Sequence, residues 1–550
     1  MTVLSAGPPP ATRTDAGDDR AVARERRRRL MRLLWGASGV LSVAALVLLL
    51  LPANVREPAL AAGFTALVMA GALPLVASLL QYSVLGLHRF HSGYSGLRPY
   101  YPRVAIVVPA WNEGDVIGAT IQRLLAMDYP EDRLRVYVVD DASTDATPEV
   151  VRSWEARHPD RVRHLRRDKG GEGKAHTLNH GISRILAEPW AEALLVIDAD
   201  VLFEDGALRR MARHLSHPDV GAVTAYIKEG SAGGNFLTKF IAYEYVTAQA
   251  ASRRAQNVFG ALACLAGGAQ LHSRENLESI GGRIDTSSLA EDTVTTFRTQ
   301  LSGKRVVFDG NAVVWAEEPG DLVGLWKQRL RWARGNVQIS LQFAHMWLHG
   351  EAHRQLGGPL FAFFWFSVLL MPVFMIGATT GLVGLHLTGP ERAWETFRIL
   401  WILHAVVYVY TTAMSFALDP STARRAWAQG ILFPGVISLA IIVYSVLPGP
   451  FEAALVGTLR GIGVEPDARL AVAAQLFLYL WLTASMGVAY LAKWTADRWG
   501  PGPWVPILLY LSGYGAFLCA VTFAAYVREI QGAGLTWDKT VKTGRVALPR

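Results

Sequence analysis

The sequence predicts an α/β domain with a mostly parallel sheet, inserted between two sets of membrane-spanning helices. Three observations carry this. Hydrophobic residues make up 51% of the 550 and charged residues only 18%, with a mean hydropathy of +0.22, whereas soluble domains carry about 25% charged residues. Charge-free apolar runs long enough to cross a bilayer lie towards both ends of the chain. Between them, over 102–335, charges return and short apolar runs alternate with helical stretches, the pattern of a parallel sheet with helical crossovers. A disordered or wholly soluble chain is excluded. The net charge of +8 suits an anionic inner leaflet. Its basic residues collect at the edges of apolar runs and not on one interleaved face, so nucleic acid is not an expected partner. Two cysteines, Cys264 and Cys519, cannot build a disulfide framework.

Residues 1–32 are polar and rich in Pro and Arg, the composition of a disordered basic tail. The tail ends in Arg24, Arg26, Arg27, Arg28, Arg29 and Arg32. Runs 33–55 and 59–87 contain no charged residue, which predicts two transmembrane helices across 33–87 and a turn at 54–58. A cleaved signal peptide is the alternative, but its leader would be unusually long and a second span follows at once. The arginine cluster holds the N-terminus in the cytoplasm, and two spans bring the chain back there.

Within 102–335 the expected strands are 104–109, 136–140, 194–198, 220–225 and 305–314. Residues 336–354 then read as an amphipathic helix on the membrane surface, with Gln338, Gln342, His345 and His349 opposite Val337, Leu341, Phe343 and Leu348. Charge-free stretches cover 355–390, 399–418, 426–451, 470–492 and 499–527. Arg424 and Arg425 follow the second, and Lys493 and Arg498 follow the fourth, as alternating crossings require. Five full crossings would place Lys539, Lys542 and Arg545 outside, against the positive-inside rule. The region 355–527 therefore predicts four or five spans, the odd run being interfacial or re-entrant, with 528–550 as a C-terminal tail.

Ligands of open α/β sheets bind beyond the carboxyl ends of strands, and two expected strands end in acids. The first runs into Asp140-Asp141-Ala142-Ser143-Thr144-Asp145. Carboxylates there can accept from the imide N–H of a uracil, although a helix cap at Ser143 or Asp145 explains the turn equally well. The second ends in Asp198-Ala199-Asp200, two hard-oxygen groups suited to Mg²⁺ or Mn²⁺. Glu291-Asp292 reads, taken alone, as an acidic pair at a helix N-terminus. Trp326, Lys327, Arg329 and Arg334 read as an interfacial Trp with snorkelling cations. Lys169-Gly170-Gly171-Glu172-Gly173-Lys174 looks like a phosphate-cradling loop, but it lacks the Ser/Thr of a P-loop and follows no evident strand. Ala266-Gly267-Gly268-Ala269 reads equally as a flexible turn. His176 and His180 lack a third ligand for a metal.

In order along 104–335 stand Val108-Pro109-Ala110-Trp111-Asn112-Glu113 with Asp140-Asp141, then Asp198-Ala199-Asp200, then Ala290-Glu291-Asp292, then Gln328-Arg329-Leu330-Arg331-Trp332. This ordered set resembles the membrane-embedded, inverting family 2 glycosyltransferases, which include the cellulose, chitin, hyaluronan and poly-N-acetylglucosamine synthases. The resemblance implies a GT-A-like (Rossmann-like) domain on the cytoplasmic side of the cell membrane. It implies a UDP-sugar donor contacted by Pro109, Asn112, Glu113, Asp140, Asp141, Lys174, Asp198, Gln328 and Arg331. Asp198 and Asp200 would hold Mg²⁺ or Mn²⁺, and Asp292 would be the general base. Trp332, Gly267 and Gly268 would meet the glycan acceptor. Ala290 departs from the family's usual Thr and removes a hydroxyl while leaving the Glu-Asp pair.

The expected activity is processive, inverting transfer from UDP-GlcNAc or UDP-Glc to a β-linked polysaccharide that crosses the membrane between the helices. A non-processive enzyme making a glycolipid is the nearest alternative, since QxxRW occurs there too. A transporter or channel with a sugar-nucleotide-sensing domain is a third. The spans show no internal repeat and no intramembrane charge of the kind transporters use. Donor, glycan acceptor and lipid bilayer are the implied partners, with room for accessory export or glycan-modifying subunits.

Overall fold

A computed structural model of the chain describes residues 16–91, 97–351, 353–534 and 546. The first fifteen residues of the expected tail, and most of 535–550, lie outside the described residues. Helix α1 (Ala16–Leu50) already includes the arginine cluster, so 16–32 is helical where composition suggested disorder. The turn falls at Leu51–Pro52, and Pro58 sits inside α2 (Ala53–Ala70). Helix α3 (Leu73–His91) continues from α2 towards the domain. Leu33, Leu34, Trp35, Val40, Leu41 and Val43 of α1 are all exposed, which lipid tolerates and water does not.

The domain follows as β1 (Val104–Ala110), α4 (Gly114–Leu125), β2 (Leu134–Asp140), α5 (Thr147–Arg157), β3 (Val162–Arg166), α6 (Lys174–Leu186), β4 (Ala193–Val196) and β5 (Val201–Phe203). Then come α7 (Ala207–Ala212), β6 (Val220–Glu229), α8 (Phe236–Glu244), α9 (Ala251–Phe259), β7 (Gln270–Ser273), α10 (Arg274–Ser279), α11 (Glu291–Leu301), β8 (Arg305–Ala316) and α12 (Leu322–Gln342). The sheet order is β3-β2-β1-β4-β7-β6-β8-β5. The half from β3 to β4 is parallel, as expected. Beyond it β7 pairs antiparallel with β4 and β6, and β5 antiparallel with β8, so the whole sheet is mixed. Val104, Ile106 and Val108 point into one apolar layer, and Ala105 and Val107 into the other. Burial on both faces is why β1 reads as an unbroken apolar run. The GT-A-like arrangement puts the carboxyl ends of β1, β2 and β4 on one edge.

Helix α12 is a single helix from Leu322, so the expected surface helix at 336–354 begins earlier and stops at Gln342. Beyond it the chain turns through 343–349. Gln338 is buried, not surface-facing, and Arg334 is buried beside it. Apolar runs that look continuous break where Pro and Gly interrupt them. Run 355–390 is α13 (Pro359–Leu369) plus α14 (Met371–Thr388). Run 399–418 lies in α15 (Pro390–Leu418), which α16 (Pro420–Arg425) follows. Run 426–451 is split into α17 (Trp427–Ile431), α18 (Val436–Val446) and the start of α19 (Pro448–Gly461). Run 470–492 lies in α20 (Ala468–Trp499). Run 499–527 becomes α21 (Trp504–Ser512) and α22 (Tyr514–Ile530), bent by 93°. Among the described residues five helices are long and apolar enough to cross a membrane, or six if the bent pair counts as one span.

Contacts fix which end of each helix faces the domain. Lys228 pairs with Asp419 at 2.8 Å, holding the end of α15 against β6. His386 and Phe397 meet Tyr479 at the opposite end, while Tyr490 of α20 packs on Trp326 of α12. The broken α17–α18 leads away from the domain: Gly430 lies against Tyr243, and Tyr444 against Trp394. The bent pair stays at the domain. Tyr510 packs on Phe240, Tyr514 stacks on the same ring, and Glu529 pairs with Arg334 at 2.7 Å. Tyr514 N donates to Phe433 O at 2.9 Å, so the breaks in the two apolar runs face each other.

Candidate active site

A cavity of about 900 Å³ opens at the carboxyl edge of the sheet and extends between α3, α13, α15 and α22. Of the residues expected at the site, Pro109, Glu113, Asp141, Lys174, Asp198, Asp200, Gly267, Gly268, Asp292, Gln328, Arg331 and Trp332 line it. Asn112 and Asp140 are absent from its walls.

Those two shape the turn. Asp140 is fully buried; it accepts from Ser143 N at 2.8 Å and from Arg166 Nη1 at 2.6 Å. Burial opposes its charge, but hydrogen bonds from His164 and Ser143 and the Arg166 guanidinium outweigh it and pull its carboxyl to about 2. Asp140 thus anchors the turn after β2. Asn112, at a φ of 52°, accepts from Thr144 N at 2.9 Å, while its own N donates to Ser143 Oγ at 3.0 Å. It ties the β1 and β2 loops together. Asp141 is the member of the pair that reaches the cavity. It binds Arg167 with one oxygen and accepts from Gly171 N at 2.9 Å with the other. The glycine-lysine loop therefore does follow a strand, β3, and Lys174 opens α6.

Lys174 Nζ bridges the centre, 2.5 Å from Asp198 Oδ1 and 3.1 Å from Gly267 O. Burial works against its charge, yet Asp198, Glu291 and Asp292 together hold its pKa above the ordinary lysine value. A Cβ on Gly267 would lie 3.3 Å from Asp292 Oδ2 and 3.3 Å from Lys174 Nζ. One on Gly268 would meet Val201 at 3.0 Å and Asp198 at 3.5 Å. The two glycines thus separate the acid pair at 198–200 from Asp292 by the thickness of a bare backbone.

Glu291 and Asp292 occupy the first turn of α11, where the helix dipole favours carboxylates. Asp292 Oδ1 accepts from Thr293 N at 2.7 Å. Burial, with the adjacent Asp292 charge, raises the Glu291 carboxyl against the pull of Lys174 and Arg331. On α12, Arg331 donates to Leu289 O at 3.3 Å, just before that turn. Gln328 donates to Glu318 at 3.2 Å. Trp332 lies with the Arg329 guanidinium 4.1 Å from its ring centroid. Arg329 is not a snorkelling cation: it is buried and pairs with Glu244 at 2.9 Å.

Asp198 and Asp200 suit Mg²⁺ or Mn²⁺ by donor type. Among the described residues no group of three His, Cys, Asp or Glu side chains is placed to hold a metal. A shell of two carboxylates completed by substrate phosphates is the usual pattern for Mg²⁺, so the residues fit a cation that arrives with a diphosphate.

Sequence reasoning missed Glu317 and Glu318 at the end of β8, both on the cavity wall. The signal was there: Ala316-Glu317-Glu318-Pro319 repeats the strand-then-acid pattern of the other two sites. Tyr245 Oη donates to Glu318 at 2.5 Å. Burial pushes Glu318 up to about 7 despite the Arg329 charge.

Residues 102–335 match the family model described as "Glycosyltransferase like family 2". A Bacillus subtilis (strain 168) protein named "Probable glycosyltransferase YdaM" is 29% identical over 59% of this chain and 76% of its own length. "Beta-monoglucosyldiacylglycerol synthase" of Synechocystis is 32% identical over 44% of this chain and 50% of its own. "Poly-beta-1,6-N-acetyl-D-glucosamine synthase" of Staphylococcus epidermidis is 27% identical over 44% and 56%. The chain thus spans about half the length of the last two relatives.

Proposed function

We propose, from the match of residues 102–335 to the glycosyltransferase family 2 model, that the protein is a membrane-bound, inverting sugar transferase that extends a β-linked glycan processively from a UDP-sugar. Its catalytic domain faces the cytoplasm. The observation that carries this is the continuous cavity from Asp198, Asp200 and Asp292 into the helices around α3, α15 and α22. That cavity offers a growing chain a protein-lined start away from the reacting centre.

Asp141 and Pro109 take the uridine side, with Glu113 beside them. Lys174 and Arg331 offset the diphosphate charge. Family 2 enzymes of this fold commonly use a divalent metal; held by Asp198 and Asp200, Mg²⁺ or Mn²⁺ would stabilise negative charge on the leaving diphosphate. Asp292 accepts the acceptor's hydroxyl proton as that oxygen bonds to the anomeric carbon. The bond from that carbon to the β-phosphate oxygen breaks, and UDP leaves with the electron pair, inverting the anomeric configuration. Gly267 and Gly268 let the acceptor approach, and Trp332 offers a flat ring to the sugar.

One observation favours the glycolipid alternative: Phe361, Phe364, Trp365 and Val368 of α13 give the cavity an apolar wall that an acyl chain could follow. The deciding experiment incubates the full chain in vesicles with radiolabelled UDP-sugars, excess donor and Mg²⁺ or Mn²⁺, then sizes the product. A long, glycosidase-sensitive polymer, abolished by chelator, is expected. A product wholly extractable into organic solvent would replace the processive reading with the glycolipid one.

A further inference from the structure

We propose that the polar face of α9 is the acceptor subsite and that it takes a hydroxyl-rich sugar, not a bare lipid headgroup; this deepens the glycosyltransferase reading and rests on it. Ser252, Arg253 and Gln256 of α9, with Gln249 of the turn before it, all line the cavity. The other face carries Ala251 and Ala255, buried against Tyr82 and Leu85 of α3. Between α8 and α9 the chain makes a π-helical turn over Tyr245–Ala250. One extra residue in a turn rotates everything beyond it, and such insertions recur at functional sites.

The face starts beside the reacting centre. Arg253, Cys264 and Asp292 all line the same cavity. Ser252 donates to Gln81 of α3 at 3.0 Å, and Gln256 Oε1 accepts from Ala263 N at 3.0 Å. These bonds hold two of the four side chains in place. Among the described residues the buried Nη1 atom of Arg253 has no hydrogen-bond partner, and its guanidinium carbon lies 6.0 Å from the Phe308 ring centroid. Buried donors in native proteins are almost always satisfied, and on the cavity wall a bound ligand can supply the acceptor. Diacylglycerol offers one hydroxyl and two ester carbonyls, fewer partners than the several hydroxyls of a sugar ring. Vicinal sugar hydroxyls match the planar fork of a guanidinium and the amides of Gln249 and Gln256.

The test uses the full chain in phosphatidylcholine vesicles, whichever UDP-sugar it turns over, and four-sugar β-linked oligosaccharides of glucose or N-acetylglucosamine as acceptor. Arg253→Met should raise the acceptor KM about tenfold or more, the loss of one good bond, and move the donor KM far less. Arg253→Lys should recover part of the loss. Gln249→Leu should shift the acceptor KM the same way and serves if Arg253→Met does not fold. Equal rises in donor and acceptor KM would make Arg253 a donor residue and overturn the proposal. So would wild-type protein that transfers to diacylglycerol but never to oligosaccharide. Wild-type protein that releases no UDP from any UDP-sugar would instead sink the parent reading.

Discussion

At the residue scale, burial and partners divide carboxylates that look alike in sequence. Asp140 and Asp141 are neighbours, yet one is a buried anchor and the other faces the cavity. Asp292, the proposed base, sits with a carboxylate neighbour at a helix N-terminus on the cavity wall. Asp292→Asn should lower turnover about 10²-fold or more while leaving donor affinity nearly intact. Equilibrium binding of UDP-sugar and single-turnover rates would check this; normal turnover would move the base to Glu291. Glu318 makes a different prediction. Its folded pKa, about 7, is above the ordinary carboxyl value, so the folded state binds the proton more tightly than the unfolded one. Stability is therefore fully present below the ordinary carboxyl range and falls as pH rises through about 7. Glu318→Gln should flatten that decline between about pH 5 and 8 in thermal melts of the detergent-solubilised protein. A variant that melts with the wild-type pH dependence would assign the titration to another group.

Elements were legible in proportion to how completely they are buried. The central strands β1, β2 and β4 read as apolar runs because both sheet faces are covered. β3, with Arg163, His164 and Arg166, is a polar edge strand, and β5 and β7 are too short for periodicity to register. The four motifs were legible as an ordered set, whereas the cavity face of α9 was not, since a π-turn resets helical phase without changing composition. The breaks at Gly435 and Gly513 were hidden because an apolar run reads alike whether straight or bent. Helix α12 shows a further limit. Its Arg334 and Gln338 both donate to Glu529 of α22, at 2.7 and 3.0 Å, and Gln338 accepts from Leu289 N at 3.0 Å. The turn before Asp292 thereby hangs on a residue near the far end of the chain, a pairing no local pattern encodes. Glu529→Ala leaves the buried Arg334 guanidinium with backbone carbonyl partners but no counter-charge and should cost about 3–5 kcal/mol. Adding Arg334→Met should return part of that. Denaturation of the two variants checks it, and a double variant less stable than the single would refute the pairing.

For the whole molecule, both ends of the described chain meet the catalytic domain. Arg26 of α1 donates to Ser287 O, Arg334 donates to Ala533 O at 2.7 Å, and Val546 forms a β-bridge with Ser231. A chain whose two ends and inserted domain share one side must cross the membrane an even number of times between each pair. Helix α1 and the α2–α3 pair supply two crossings before the domain. After the domain α14, α15 and α20 are long and apolar enough to cross; an even count then requires one more crossing, which we assign to the broken α17–α18, with the bent α21–α22 lying along the domain. That count puts Gly534 and Val546 on the same side as the arginines of α1, so the five full spans that the positive-inside rule disfavours are not required. It also gives the short α18, of 11 residues, a role as half of a crossing interrupted at Pro434-Gly435, tolerable because Phe433 O meets Tyr514 N and so is not left bare in lipid. A reporter fused after Arg550 should therefore read the same compartment as one inserted near Asp160, and one placed near Gly463, between α19 and α20, should read the opposite. Opposite compartments for Arg550 and Asp160 would mean that α21–α22 crosses after all, and the even count would fall.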